Sequence, residues 1–211
     1  MKAILVNGSP HAKGCTYTSL EEVAKTLKAE GIEPHIFQIG TKPLAGCIAC
    51  HACARTGRCA FSDTVNEFLD LAKDADGFIF GSPVHYAAAG GAITSFMDRA
   101  FYADLLGGRR SFYLKPAAAV VSARRAGTTT ALDQLNKFFA ISEMPIVSAR
   151  YWNMVHGAKP EDVRKDLEGL QNMRVLGRNM AWLLKCKEAG MKAGVQLPTR
   201  ENIVFTNFIR E

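Results

Sequence analysis

"KAILVNGSPHAKGCTYTSLEEVAKTLKAEG", residues 2–31, changes character twice within thirty positions. Residues 2–7 carry a short apolar run, Ala3 to Val6, with no alternation of polarity, which reads as a strand buried on both faces. Residues 8–18 are rich in glycine and hydroxyls and read as a loop. Leu20, Val23 and Leu27 then recur at helical spacing, with Gly31 as the stop. Strand, loop and helix in this order open a strand–helix–strand unit.

The pattern repeats along the chain. "EPHIFQIG" (33–40) reads as a second strand, and after a cysteine-rich stretch "DTVNEFLDLAKDA" (63–75) reads as an acid-capped helix. "DGFIFGSPV" (76–84) and "GGAITSFMDRAFYADLL" (90–106) give a third strand and helix. "KPAAAVVSA" (115–123), "TTTALDQLNKFFAIS" (128–142) and "MPIVSARYW" (144–152) give a fourth strand, its helix and a fifth strand. One long helix is expected from about Glu161 to Glu188, with Val163, Leu167, Leu170, Met173, Met180 and Leu184 near one face. Continuous apolar strands alternating with helices predict an α/β fold. The expected form is a doubly wound five-stranded parallel sheet in the order 2-1-3-4-5, with helices on both faces. Ligands of such sheets bind beyond the carboxyl ends of strands 1, 3 and 4. Without repeats or a linker, residues 1–211 are expected to form a single domain with a C-terminal helical extension from about 160.

The totals narrow the function. A formal net charge of +6 calls for an anionic ligand or partner. No arginine-rich run or aromatic-basic interleave points to nucleic acid. No stretch approaches the roughly 18 apolar residues of a membrane span, and "MKAILVNGSP" lacks the form of a secretory signal. A cytoplasmic location is therefore expected, where thiols stay reduced.

Three strand-to-helix loops carry the candidate ligand groups. The first, Gly8 to Thr18, lacks G-x-G-x-x-G, and Lys13 precedes Gly14, so it is not a P-loop either. It offers Ser9, Thr16, Tyr17 and Thr18 at a helix start, which suits one phosphate; the plainer reading is an N-cap with surplus hydroxyls. After strand 3, Pro83, Val84, His85 and Tyr86 form an apolar-aromatic platform ahead of Gly90-Gly91. Such a platform suits a flat aromatic ligand, or else packs into a subunit interface. After strand 4 comes "SARRAGTTT" (122–130), a polar turn beginning at Ser122, in which Arg124 and Arg125 read as surface charge. A phosphate cradle, an aromatic shelf and a polar turn together fit a mononucleotide with a planar ring system.

The order "NGSP", "GCTYTSLEE", "GSPVHY" and "SFMDR", with C-x2-C-x2-C-x5-C between strand 2 and its helix, resembles the flavodoxin-like NAD(P)H-dependent FMN reductase family. Within it the chain is similar to the iron–sulfur flavoproteins, over about residues 1–140. The resemblance implies FMN as cofactor. Its phosphate contacts would come from Ser9, Cys15, Thr16, Tyr17 and Thr18, and its ring contacts from Pro83, Val84, His85 and Tyr86. Two departures from the family pattern stand out. His11 and Cys15 replace an expected basic residue and asparagine, and His85 replaces a common tyrosine.

The stretch "GCIACHACARTGRC" (46–59) holds Cys47, Cys50, Cys53 and Cys59. Zinc usually takes two close pairs across a longer spacer, whereas three cysteines at equal x2 spacing match the ferredoxin run. A [4Fe–4S] cluster with Cys59 as fourth ligand, redox-sensing or unligated thiols, and zinc all stand open. Arg55 and Arg58 are expected to offset part of a cluster's negative charge. Cys186 reads as a packing residue.

The primary expectation is an FMN-dependent oxidoreductase that passes hydride from NAD(P)H through the flavin to a small-molecule acceptor such as a flavin or quinone. One alternative is an iron–sulfur flavoprotein exchanging single electrons with a ferredoxin-type partner, its cysteine loop sharing the carboxyl edge with the flavin loops. The other is a non-catalytic binding protein of this fold. Self-association into a homo-oligomer is expected from the exposed "PVHYAAAGGA" loop and the apolar last helix.

Overall fold

The computed structural model describes residues 1–202, 204 and 206. Its parallel sheet is built from β1 (Lys2–Asn7), β2 (Glu33–Gln38), β3 (Gly77–His85), β5 (Ala117–Ala123) and β6 (Met154–His156), in the order β2-β1-β3-β5-β6. A two-residue β4 (Ala88–Ala89) pairs antiparallel with the end of β3 and lies off this path. With β4 set aside the order is the expected 2-1-3-4-5, and the fold is flavodoxin-like.

The central strands β1, β3 and β5 have no polar face because both faces are covered. Ile4, Val6, Phe78, Phe80 and Val121 pack under α3 (Thr64–Ala72), α4 (Gly91–Leu106) and α5 (Thr128–Ile141). Ala3, Leu5, Ile79 and Val120 pack under α1 (Cys15–Ala29) and α7 (Leu167–Lys192). On the first face Phe68 of α3 is the hub of a ring cluster, with centroids 5.1 Å from Phe96, 5.6 Å from Phe37 and 6.1 Å from Phe112. A fully buried phenylalanine of this kind contributes about 1.5–3 kcal/mol by burial alone.

Two sequence expectations need correction. The fifth strand is not continuous over 144–152. Ala117 donates to Pro145 O at 2.9 Å and Val147 to Ala117 O at 2.8 Å, after which the chain leaves the sheet and rejoins at Asn153. Asn153 closes this excursion, its Oδ1 accepting from Ala149 N at 3.2 Å, and Tyr151 and Trp152 are left exposed. The long last helix is also divided, into a short α6 (Pro160–Val163) and α7. Asp166 forms the break, its carboxylate capping α7 by accepting from Gly169 N at 2.9 Å. α7 lies back on α1, burying Met173, Leu176, Met180 and Leu184 against Leu20, Val23 and Leu27.

Candidate functional site

β1, β3 and β5 are adjacent and parallel, so the loops that follow them meet at one edge of the sheet. Gly8 crosses β3 closely, donating to Gly81 O at 2.9 Å, where a Cβ would stand 2.6 Å from that oxygen. The loop then folds on itself. Asn7 Oδ1 accepts from Ser9 N at 3.2 Å, Ser9 Oγ accepts from His11 N at 3.1 Å, and Gln38 Nε2 donates to Ser9 O at 2.7 Å.

Helix α1 begins at Cys15 with Gly14 as N-cap and no side-chain cap. Thr18 N is the first amide of the helix to find a helical acceptor, Gly14 O at 3.0 Å. The amides of Cys15, Thr16 and Tyr17 are therefore presented at the helix end, where partial positive charge gathers. Thr16 is buried, with its Oγ1 2.8 Å from Ser122 Oγ at the end of β5. Two hydroxyls in contact use one proton between them, leaving the other to donate outward. Thr18 Oγ1 donates to Gly14 O at 3.1 Å, and Tyr17 OH is in contact with Lys13 Nζ. Cys15 turns its Sγ to Gly157 O at 3.6 Å; burial first, and then Asp162 and Glu161, push its thiol above the ordinary range.

The platform after β3 is a tight hairpin. Pro83 and Val84 are half-buried, His85 is exposed, and Tyr86 stands fully in solvent at the tip. Tyr86 (φ 48°) and Ala87 (φ 58°) both take the left-handed conformation that a two-residue hairpin turn demands, without the usual asparagine or glycine. Ser82 Oγ accepts from Gly90 N at 3.0 Å and Gln134 Oε1 from Ala89 N at 3.1 Å. The third loop closes on the hairpin at Gly127 (φ 92°), where a Cβ would lie 2.5 Å from Ala87 Cα. Arg124 and Arg125 are exposed.

The cysteine stretch forms a second centre. Its residues fold as an irregular loop with Ala49 (φ 51°) and His51 (φ 56°) left-handed, followed by the short α2 (Ala52–Thr56). Cys47, Cys50, Cys53 and Cys59 all line one hollow, together with Arg99 and Tyr102 of α4. Cys53 is buried, Cys59 half-buried, and Cys47 and Cys50 exposed. Burial pushes the Cys53 thiol up, and charge on Cys47 and Cys50 adds to this. Among the described residues no three His, Cys, Asp or Glu side chains converge as ligands of a single ion. A single tetrahedral zinc would need such convergence. A four-iron cluster takes one thiolate at each iron, so a donor set of four cysteines spread around one hollow fits it.

The charge arrangement around this hollow differs from the sequence expectation. Arg58 turns away to Asp70 (2.7 Å), and Arg55 is exposed. The cation beside the thiols is Arg99, whose Nε donates to Cys59 Sγ at 3.2 Å and whose two terminal nitrogens each meet Asp63 at 2.8 Å. Burial lowers the Arg99 pKa, but Asp63 and then Cys59 outweigh it and hold the guanidinium above its ordinary value. An arginine on the apolar stripe of Phe96, Ala100 and Ala103 was the available signal, because a buried charge demands a partner.

The hollow is also not at the same edge as the flavin-type loops. The stretch leaves β2 at the carboxyl edge but lies along α4, with Gly57 packed against Gly107 beyond that helix's far end. From Gly91 to Arg99 the helix rises about 12 Å, at 1.5 Å per residue.

A parallel sheet in this order, with a helix start, a hairpin and a polar turn gathered at its carboxyl edge, defines the flavodoxin-like class. The model of the NADPH-dependent FMN reductase family matches residues 1–159, and the chain belongs to that family. It is 34% identical over 194 residues to an iron–sulfur flavoprotein of Methanocaldococcus jannaschii, covering 88% of this chain and 98% of that one. Among solved structures, RosB with a bound formylriboflavin phosphate intermediate superposes with a TM-score of 0.70 at 13% identity, covering 100% of this chain and 95% of that one. A flavodoxin, WrbA-like protein of Agrobacterium tumefaciens gives 0.61 at 15% identity, covering 88% and 96%. These two likenesses speak to the fold alone. Among the described residues no helix is long and apolar enough to cross a membrane.

Proposed function

We propose that the protein is an FMN-dependent oxidoreductase that takes reducing equivalents from NAD(P)H and delivers them to a small-molecule acceptor. The observation that carries this reading is the meeting of the three loops, marked by the 2.8 Å contact of Thr16 and Ser122. FMN, when bound, supplies the hydride chemistry and can also exchange single electrons. The chain's part is to bind and orient. The amides of Cys15, Thr16 and Tyr17, with the hydroxyls of Ser9 and of the Thr16–Ser122 pair, suit a single phosphate at the start of α1, whereas the Thr18 hydroxyl expected there spends its proton on Gly14 O. The backbone and side chains of Pro83, Val84, His85 and Tyr86 suit one face and edge of a flat ring. The absence of a glycine fingerprint favours a mononucleotide over a dinucleotide. Adding NADPH or NADH without oxygen to the FMN-loaded chain tests the reading, which requires the flavin absorption to bleach.

The placing of four cysteines around one hollow favours a second reading, in which the chain is an iron–sulfur flavoprotein that works with a ferredoxin-type partner. Cys47, Cys50, Cys53 and Cys59 would hold a [4Fe–4S] cluster, which supplies one-electron chemistry when bound. The names of the curated relatives support this reading, and the net charge of +6 suits an acidic partner.

A further inference from the structure

Arg99 lies in the middle of α4 at 1% exposure, among the largest fully buried side chains of the protein. Burying a guanidinium is costly unless its charge and its N–H groups are answered. Asp63 answers two of them, and Ala45 O accepts a third at 3.4 Å. The remaining direction, Nε, points to the sulfur of Cys59 at 3.2 Å. A neutral thiol is a weak acceptor, whereas a thiolate makes a charge-assisted hydrogen bond. Arg99 is also the lysine or arginine side chain that lines the cysteine hollow.

The backbone of Cys59 is held just as closely. Asn66 Oδ1 accepts from Cys59 N at 2.9 Å, and Asn66 Nδ2 donates to Cys59 O at 3.0 Å and Phe61 O at 2.9 Å. Asp63 caps α3 through Val65 N at 3.1 Å, which fixes the carboxylate that in turn orients the guanidinium. Cys59 is thus gripped at its amide, carbonyl and sulfur, while Cys47 and Cys50 are exposed. A brace between α3 and α4 would need the Asp63 pair alone. It would not need Nε turned to a sulfur.

We infer that Arg99 is a positioning residue for the fourth thiolate of the cysteine site, holding Cys59 Sγ at the hollow and drawing electron density from the metal–thiolate bond made there. The inference rests on the reading of the four thiols as cluster ligands. Hydrogen bonds to sulfur help set a cluster's potential, and partners that orient ligands typically change metal affinity by about 10- to 100-fold.

The test uses the full chain, loaded with FMN and reconstituted with iron and sulfide without oxygen, beside Arg99→Lys. Lysine keeps the charge but cannot grip Asp63 with two nitrogens while donating sideways to sulfur. The expected variant retains FMN. Its cluster has a more negative midpoint potential in an electron-spin-resonance-monitored titration, and loses iron to a chelator about 10- to 100-fold faster. A lower melting temperature with an unchanged potential and unchanged iron loss would mean a simple brace and overturn the inference. Should Arg99→Lys fail to fold, Asp63→Asn keeps the helix cap while loosening the guanidinium. It should likewise speed the loss of iron to the chelator, and unchanged iron loss there overturns the inference as well. A wild-type chain that takes up no iron removes the cluster reading and this role with it. Normal wild-type uptake with unaffected variants removes this role alone.

Discussion

Thr16 and Ser122 touch through their hydroxyls at 2.8 Å although 106 residues separate them in sequence. The contact ties the first turn of α1 to the end of β5 across the edge where the proposed phosphate sits. Thr16→Val keeps the shape and removes the hydroxyl, leaving Ser122 without its partner. FMN binding should weaken by about 1–3 kcal/mol, the cost of a lost hydrogen bond at a buried or anionic site. Fluorescence titration of the flavin-free protein measures this, and an unchanged affinity would take Thr16 out of the site.

Gly127 is where the third loop meets the hairpin tip. At φ 92°, and with Ala87 Cα only 2.5 Å from a would-be Cβ, alanine has neither the conformation nor the room. Gly127→Ala should cost more than about 1 kcal/mol of stability and loosen the Tyr86–Ala87 turn. Thermal unfolding that matches wild type would show that the loops are not so tightly engaged.

Burial holds the Cys15 proton above the ordinary thiol value of 9.0, so this group binds its proton more tightly folded than unfolded. Its contribution to stability is complete below about pH 9 and is lost as pH rises through the folded value. Denaturant unfolding of metal-free protein should therefore show stability falling above about pH 9, and Cys15→Ala should flatten that fall. Equal slopes for the two proteins would contradict the burial argument.

The alternation of strands and helices was legible because the central strands are covered on both faces, which forces unbroken apolar runs such as residues 3–6 and 117–121. The acid cap at Asp63 was legible for a local reason, one carboxylate meeting one amide two residues on. The fifth strand was not, because its excursion is closed by Asn153 folding back on Ala149, and polar residues with that habit look like any loop. Nor was the grip of Arg99 on Cys59. They stand 40 positions apart, and only the packing of α4 beside the cysteine loop brings them together. Local chemistry can nominate Arg55 and Arg58 as counter-charges, but tertiary contact gives the task to a residue on another element.

The core on the α3–α4–α5 face draws on Phe68, Phe78, Phe80, Phe96 and Phe112, all buried without help from a metal. Cys50, by contrast, is exposed. Cys50→Ala should leave circular dichroism and FMN content unchanged while abolishing stable iron binding. Unfolding of the variant would make the cysteine loop a structural staple instead.

Whether the FMN chemistry proposed for this chain is joined by an iron–sulfur cluster is tested most directly by the absorption spectrum of protein purified without oxygen. Resolved flavin bands riding on a broad iron–sulfur absorption are expected, with FMN released on denaturation. A spectrum with neither flavin bands nor the broad absorption would contradict both readings; flavin bands alone would leave a plain FMN reductase and refute the cluster.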